Sequence, residues 1–98
     1  MTSRLADKVA IVTGGSSGFG FGIVEKFIEE GCKCLILDIT PGRTSELTAR
    51  GVLFLQGDIS SRGTWEKALE IVLKEFGRLD IVVNNAGILI VKVFSCWV

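Results

Sequence analysis

Neither histidine nor tyrosine occurs among the 98 residues. Without histidine the chain lacks the side chain that most often moves protons near neutral pH. Without tyrosine no phenol is available as an acid or base. An excess of either charge is also missing, because eleven Lys and Arg balance eleven Asp and Glu. Nothing therefore points to nucleic acid or to an anionic membrane surface as a partner. Internal repeats, low-complexity tracts and linkers are absent. The amino terminus lacks the pattern of a signal peptide, since Asp7 and Lys8 interrupt it and glycine ends the apolar run early. The most apolar tract, "ILIVKVFSCWV" at residues 88–98, is too short to span a bilayer. A soluble, intracellular protein of the cytoplasm is expected.

The three cysteines, Cys32, Cys34 and Cys96, form an odd count in a chain without a secretory pattern. Reduced thiols in a reducing compartment follow. Cys32 and Cys34 alternate along a buried strand, which argues against a shared metal or a mutual disulfide. Both read as small buried apolar residues, and no metal site is expected.

What is present is apolar residue in quantity: 48% of the chain is hydrophobic. That suffices for the core of one small domain or a piece of a larger one. Short apolar runs alternate with helical patterns. "KVAIVTG" (8–14) reads as a strand covered on both faces. Helical spacing of Ile23, Val24, Phe27 and Ile28 marks a helix over 18–30, with Gly31 placed to end it. "CKCLILD" (32–38) is a second strand, 44–50 a short helix closed by Gly51, and 52–56 a third strand. Trp65, Ala68, Leu69, Val72, Leu73 and Phe76 form the apolar stripe of a third helix. Ser60 or Ser61 is placed to cap that helix and Gly77 to end it. "LDIVVNNAG" (79–87) is a fourth strand running into a turn. The order β-α-β-α-β-α-β predicts an α/β fold: an open, parallel, Rossmann-type sheet with helices on both faces.

Five glycines between Thr13 and Ile23 stand where the first strand meets the first helix. The first N–H groups of a helix lack partners within it, and the helix dipole adds positive potential there. Glycine allows a pyrophosphate to approach such a backbone closely. A P-loop is excluded, because no lysine follows Gly18, Gly20 or Gly22. The G-x-G-x-x-G fingerprint fails at Ile23. The spacing that fits is T-G-x-x-x-G-x-G, from Thr13, Gly14, Gly18 and Gly20. A tight structural turn is the alternative use of these glycines.

Three further features fall at the same edge. Asp38 ends the second strand, about 20 residues on, where a carboxylate can accept from both ribose hydroxyls of an adenosine and repel a 2′-phosphate. Asp58 follows the third strand, and "NNAG" (84–87) ends the fourth. Solvated loop acids and an ordinary turn are the alternatives for each taken singly. Ligands of open α/β sheets bind beyond the carboxyl ends of the strands, and all four features converge there.

Together these residues resemble the classical short-chain dehydrogenase/reductase family. The matching stretches are "LADKVAIVTGG", "TGGSSGFG" (13–20), Asp38, "GDIS" (57–60) and "GRLDIVVNNAG" (77–87). The resemblance implies an oxidoreductase fold that binds NAD(H) or NADP(H) and acts on alcohol or carbonyl groups. It implies that Gly14, Ser16, Ser17, Gly18 and Phe19, with Gly20 completing the motif, surround the pyrophosphate and adenosine. Asp38 would take the ribose hydroxyls, Asp58 and Ile59 would flank the adenine, and Asn85, Ala86 and Gly87 would adjoin the nicotinamide ribose. NADP-preferring members carry a basic residue before the second motif glycine or after the second strand. This chain has Ser17 and Ile39 there, so NAD(H) is expected over NADP(H).

The same resemblance exposes a departure. The family's catalytic serine and Tyr-x-x-x-Lys lie further along a longer chain, and no tyrosine exists here. No catalytic residue is assigned, and no useful turnover is expected from these residues alone. The expected division is a half-domain over 1–87 and an apolar tail over 88–98 that departs from the family and reads as foreign sequence on a truncated product. An open edge on the fourth strand would then favour self-association or aggregation. A non-enzymatic short isoform that binds NAD(H), or pairs with a full-length relative, is the competing reading.

Overall fold

A computed structural model gives the structure of residues 6–15 and 18–84. The expectations for Ser16 and Ser17, for Asn85, Ala86 and Gly87, and for the tail 88–98 concern residues outside the described ones. The elements are β1 (Val9–Thr13), α1 (Gly18–Glu29), β2 (Lys33–Asp38), α2 (Thr44–Thr48), β3 (Leu53–Gln56), α3 (Arg62–Phe76) and β4 (Ile81–Val83). All pairings are parallel, in the order β3-β2-β1-β4. Gly31, Gly51 and Gly77, one after each helix, all take positive φ. At Gly77 the N–H donates to the carbonyls of Val72 and Leu73, closing α3.

The strands alternate their side chains between two cores, as a period of two requires. Ala10, Val12, Cys34 and Ile36 pack with Phe21 and Val24 of α1 and Leu47 of α2. Val9, Ile11, Leu35 and Leu37 pack on the other face with Ala68 and Val72 of α3. Helices therefore cover both faces. Each fully buried Val, Leu or Ile side chain contributes about 1.5–3 kcal/mol. Exposed pairs such as Lys26–Glu30 and Arg62–Glu66 contribute about 0–1 kcal/mol. The two cores hold the fold, and the surface ion pairs add little.

Three local expectations need correction. Cys32 and Cys34 do not point apart: both lie in the core on the α1 face, because residues two apart on an extended chain share a side. Both are free and buried. The neighbouring Cys32 side chain, and then burial, push the Cys34 thiol well above its ordinary range. The α3 stripe is wider than the face the sheet covers: Ala68 and Val72 are sealed, whereas Leu69 and Leu73 are 40% and 44% exposed. Ser61 takes the N-cap position of α3 without a side-chain capping bond. The Ser60 hydroxyl donates instead to Asp58 Oδ1, at 2.7 Å. Among the described residues no helix is long and apolar enough to cross a membrane.

Candidate dinucleotide site

Parallel pairing puts the carboxyl ends of all four strands along one edge. The chain passes outward from β1 to β2 and β3, then crosses back to set β4 on the other side of β1. Such a reversal opens a crevice above the strand ends. Two backbone bonds close the loops around β2: Gly14 N–H donates to Leu37 O (3.0 Å) and Gly57 N–H to Asp38 O (2.9 Å). They shape a cleft of about 230 Å³ lined by Gly14, Leu37, Asp38, Ile39, Gly57, Asp58 and Ile59.

α1 begins beside this cleft at Gly18, whose φ of +58° suits glycine. A Cβ there would meet no atom within 4 Å, so the space over this backbone is open. Two residues on, the situation reverses. A Cβ on Gly20 would stand 2.2 Å from the Gly14 carbonyl oxygen and 3.1 Å from Gly15 Cα. The bare backbone of Gly20 thus sets how closely the first turn of α1 approaches the glycine turn. Gly22 has open space around it and no positive φ. Gly22→Ala is expected to raise stability by about 0.5–1 kcal/mol, through helix propensity alone, in a urea titration.

The two carboxylates are held by their own loops. Asp38 Oδ1 accepts from the amides of Ile39 (2.7 Å) and Thr40 (3.4 Å). Asp58 Oδ1 accepts from the Ser60 amide (2.8 Å) and hydroxyl (2.7 Å), and these bonds, the amide first, hold its carboxyl below the usual range. The Trp65 indole N–H donates to Ile59 O at 2.6 Å, tying that loop to α3. Phe19 in the first turn of α1, and Ile39 and Ile59 in the loops after β2 and β3, stand out as large exposed apolar residues. At the β1–β4 junction the buried Thr13 hydroxyl reaches Val83 O (3.3 Å) and Asn84 Oδ1 (3.4 Å).

Gly14, Asp38, Asp58 and Ile59, four residues singled out in the sequence, therefore share one cleft. Gly18, Phe19 and Gly20 form the first turn of α1. Residues 8–96 match the family described as short chain dehydrogenase. The chain belongs to the short chain dehydrogenase family.

Among its relatives in that family, a 3-beta-hydroxysteroid dehydrogenase of Comamonas testosteroni is 40% identical over 93 residues, covering 92% of this chain and 37% of the relative. An NADP-dependent (R)-specific alcohol dehydrogenase of Lentilactobacillus kefiri is 41% identical, covering 94% of this chain and 38% of the relative. This short chain dehydrogenase sequence thus spans a little over a third of the length of those two relatives. Its fold matches a 3-ketoacyl-(acyl-carrier-protein) reductase from Brucella melitensis, solved with NADH, at a TM-score of 0.74 and 33% identity over 81% of this chain and 34% of that one. A glucose dehydrogenase of Caenorhabditis elegans, in apo form, gives 0.75 and 35% over 84% and 38%.

Some residues of the short chain dehydrogenase cleft escape a reading by motif. Ile39 was visible only as the residue after Asp38, and Gly57 only as the start of "GDIS". Trp65 reads as one member of the α3 stripe, and its bond to the Ile59 carbonyl carries no sequence signal. Asp80 belongs to the "GRLDIVVNNAG" stretch without an evident role. In the structure its amide donates to Val9 O and its carboxylate accepts the Val9 amide, both at 2.9 Å. Arg78 donates to both carboxylate oxygens, at 2.9 and 2.7 Å.

Proposed function

We propose that these 98 residues are the dinucleotide-binding part of an oxidoreductase acting on alcohol or carbonyl groups, with NAD(H) favoured over NADP(H). The observation that supports this best is the cleft in which Gly14, Asp38, Asp58 and Ile59 meet beside the open first turn of α1. A pyrophosphate fits the N–H groups of that turn, since α1 carries no acidic residue in its first turn to oppose it. Asp38 would accept from the adenosine ribose hydroxyls, and Asp58 and Ile59 would border the adenine. Ser16 and Ser17 at the pyrophosphate, and Asn85, Ala86 and Gly87 at the nicotinamide ribose, complete the proposed set. The nicotinamide supplies a hydride acceptor or donor when bound. The lining holds two carboxylates and neither lysine nor arginine, which disfavours an added 2′-phosphate. With no tyrosine in the sequence, no residue can take the family's acid–base role, help typically worth ~10²–10⁴ in rate. These residues alone are therefore proposed to bind without turnover.

Calorimetry with NAD⁺ and NADP⁺ on the wild type and on Asp38→Ala tests the reading. Hydrogen bonds to a charged group contribute about 1.5–3 kcal/mol, so Asp38→Ala should weaken NAD⁺ roughly ten- to a hundredfold. NADP⁺ should lose less or gain. An unchanged preference would remove Asp38 from the ribose role. Turnover of an alcohol and carbonyl panel above a protein-free control would refute the absence of catalysis.

A further inference from the structure

Two of the residues that line the cleft are large, apolar and open to water: Ile39 is 60% exposed and Ile59 42%. Each directly follows an aspartate, Asp38 or Asp58, in the loop after its strand. Loop segments are ordinarily the mobile part of a fold. Here both isoleucine carbonyls are gripped by side chains that do not line the cleft. Gln56, the last residue of β3, donates from Nε2 to Ile39 O at 3.0 Å. Trp65, in the first turn of α3, donates from its indole nitrogen to Ile59 O at 2.6 Å.

Both donors stand on rigid elements. Gln56 is paired with Asp38 in the register of β2 and β3, and Trp65 packs against the core on the α3 face. One residue before Trp65, Thr64 lies directly against the same loop. A Cβ on Gly57 would stand 2.7 Å from Thr64 Cγ2. The start of α3 therefore bears on this loop at two points, Gly57 and Ile59. Ile39 is held on both sides, since its own N–H donates to Asp38 Oδ1 at 2.7 Å.

We propose that Gln56 and Trp65 are positioning residues for the base end of the dinucleotide: by gripping the carbonyls of Ile39 and Ile59 they set two apolar walls in place before a flat heteroaromatic base arrives. This rests on the dinucleotide reading of the cleft. Ordering a loop during binding subtracts from affinity, and walls already in place remove that cost. The grip is on backbone oxygens, so its effect is on how tightly the base is held.

Calorimetry with NAD⁺ on the full chain tests this through two double-mutant cycles. One compares Trp65→Phe, Ile59→Ala and the two combined; the other compares Gln56→Met, Ile39→Ala and the two combined. Trp65→Phe keeps an aromatic ring on the core and loses the N–H donor. Gln56→Met keeps the length of the side chain and loses the amide. Each should weaken NAD⁺ about three- to tenfold. Once a wall is cut to alanine there is little left to position, so the matching donor change should add less than about twofold. A merely structural role would move the urea midpoint and leave the losses additive. Gln56 is exposed, so its cycle decides the matter should Trp65→Phe fail to fold. Unchanged NAD⁺ affinity in the donor variants, or losses that simply add, would overturn the inference and leave the reading of the cleft standing. A wild type that binds no NAD⁺ would remove both.

Discussion

Gly20→Ala should lower stability by about 3 kcal/mol or more, the upper end for an overpacked core or beyond it. The added methyl would sit 2.2 Å from the Gly14 carbonyl oxygen and 2.8 Å from its carbon. Both belong to backbone, and Gly14 is itself tied to β2 through its N–H bond to Leu37 O. No side-chain rotation relieves the contact, so α1 has to move off the sheet. Moving it carries the N–H groups of the first turn away from the strand ends, and NAD⁺ affinity should fall at least about tenfold with the stability. Urea midpoints and calorimetry on Gly20→Ala and Gly22→Ala make a matched pair: the same chemical change, two residues apart, with opposite signs. Wild-type stability and affinity in Gly20→Ala would show that the close approach does not set the position of α1. For a domain stabilised by about 5–15 kcal/mol in total, a loss of this size is a large share.

Asp80→Ala is the second large effect, expected at about 2–3 kcal/mol. Asp80 is mostly buried, with 13% of its side chain exposed, whereas Arg78 keeps 36%. Arg78 can therefore recover water when its partner is removed. The Val9 amide, in a residue only 1% exposed, is left without its carboxylate, and an orphaned buried amide costs about 1–3 kcal/mol by itself. The same site gives a pH dependence. Burial by itself would raise the Asp80 carboxyl, but the bonds from Arg78 and the Val9 amide, with the charges of Arg78 and Lys8, bring it below its ordinary value. A depressed folded-state pKa contributes stability above the unfolded value of about 3.9, and that stability disappears as pH falls through the lower folded value. Wild type should accordingly lose stability more steeply below about pH 4 than Asp80→Asn does. Parallel acid denaturation profiles for the two proteins would dismiss the carboxylate as a source of that slope.

Much of this site is legible in the sequence, and the reason is local. The T-G-x-x-x-G-x-G spacing, an acid at the end of the second strand and another after the third are each short-range signals. Topology alone then carries Gly14, Asp38, Asp58 and Ile59 to one cleft. The element order was equally visible, because buried parallel strands read as continuous apolar runs such as "VAIV" and "LIL". What escaped reading depends on contacts between distant residues. Whether Leu69 and Leu73 are covered is decided by how α3 lies on the sheet, not by its own periodicity. The paired bonds between Val9 and Asp80 bridge 71 positions, and the bond from Trp65 to Ile59 fixes a loop by a helix that follows it. Cys32 and Cys34 are free and buried as expected; only the premise that they alternate sides failed, because the period of a strand places both on one side, and that rule was available from the sequence.

The strand order has a consequence in time. β1 is made first but is completed on one edge by β2 and on the other by β4. The greater separation of the second pairing costs only about 1 kcal/mol of extra loop closure. Synthesis imposes the larger delay, since at about 5–20 residues per second β4 follows β2 by several seconds. β1 and β2 can pair, with α1 against them, before β4 is available, giving Gly14 its bond to Leu37. Thr13, by contrast, waits for Val83 and Asn84 to receive its hydroxyl hydrogen bond. The side of the cleft proposed for the adenosine thus needs only the chain as far as Ile59, whereas the other side needs β4.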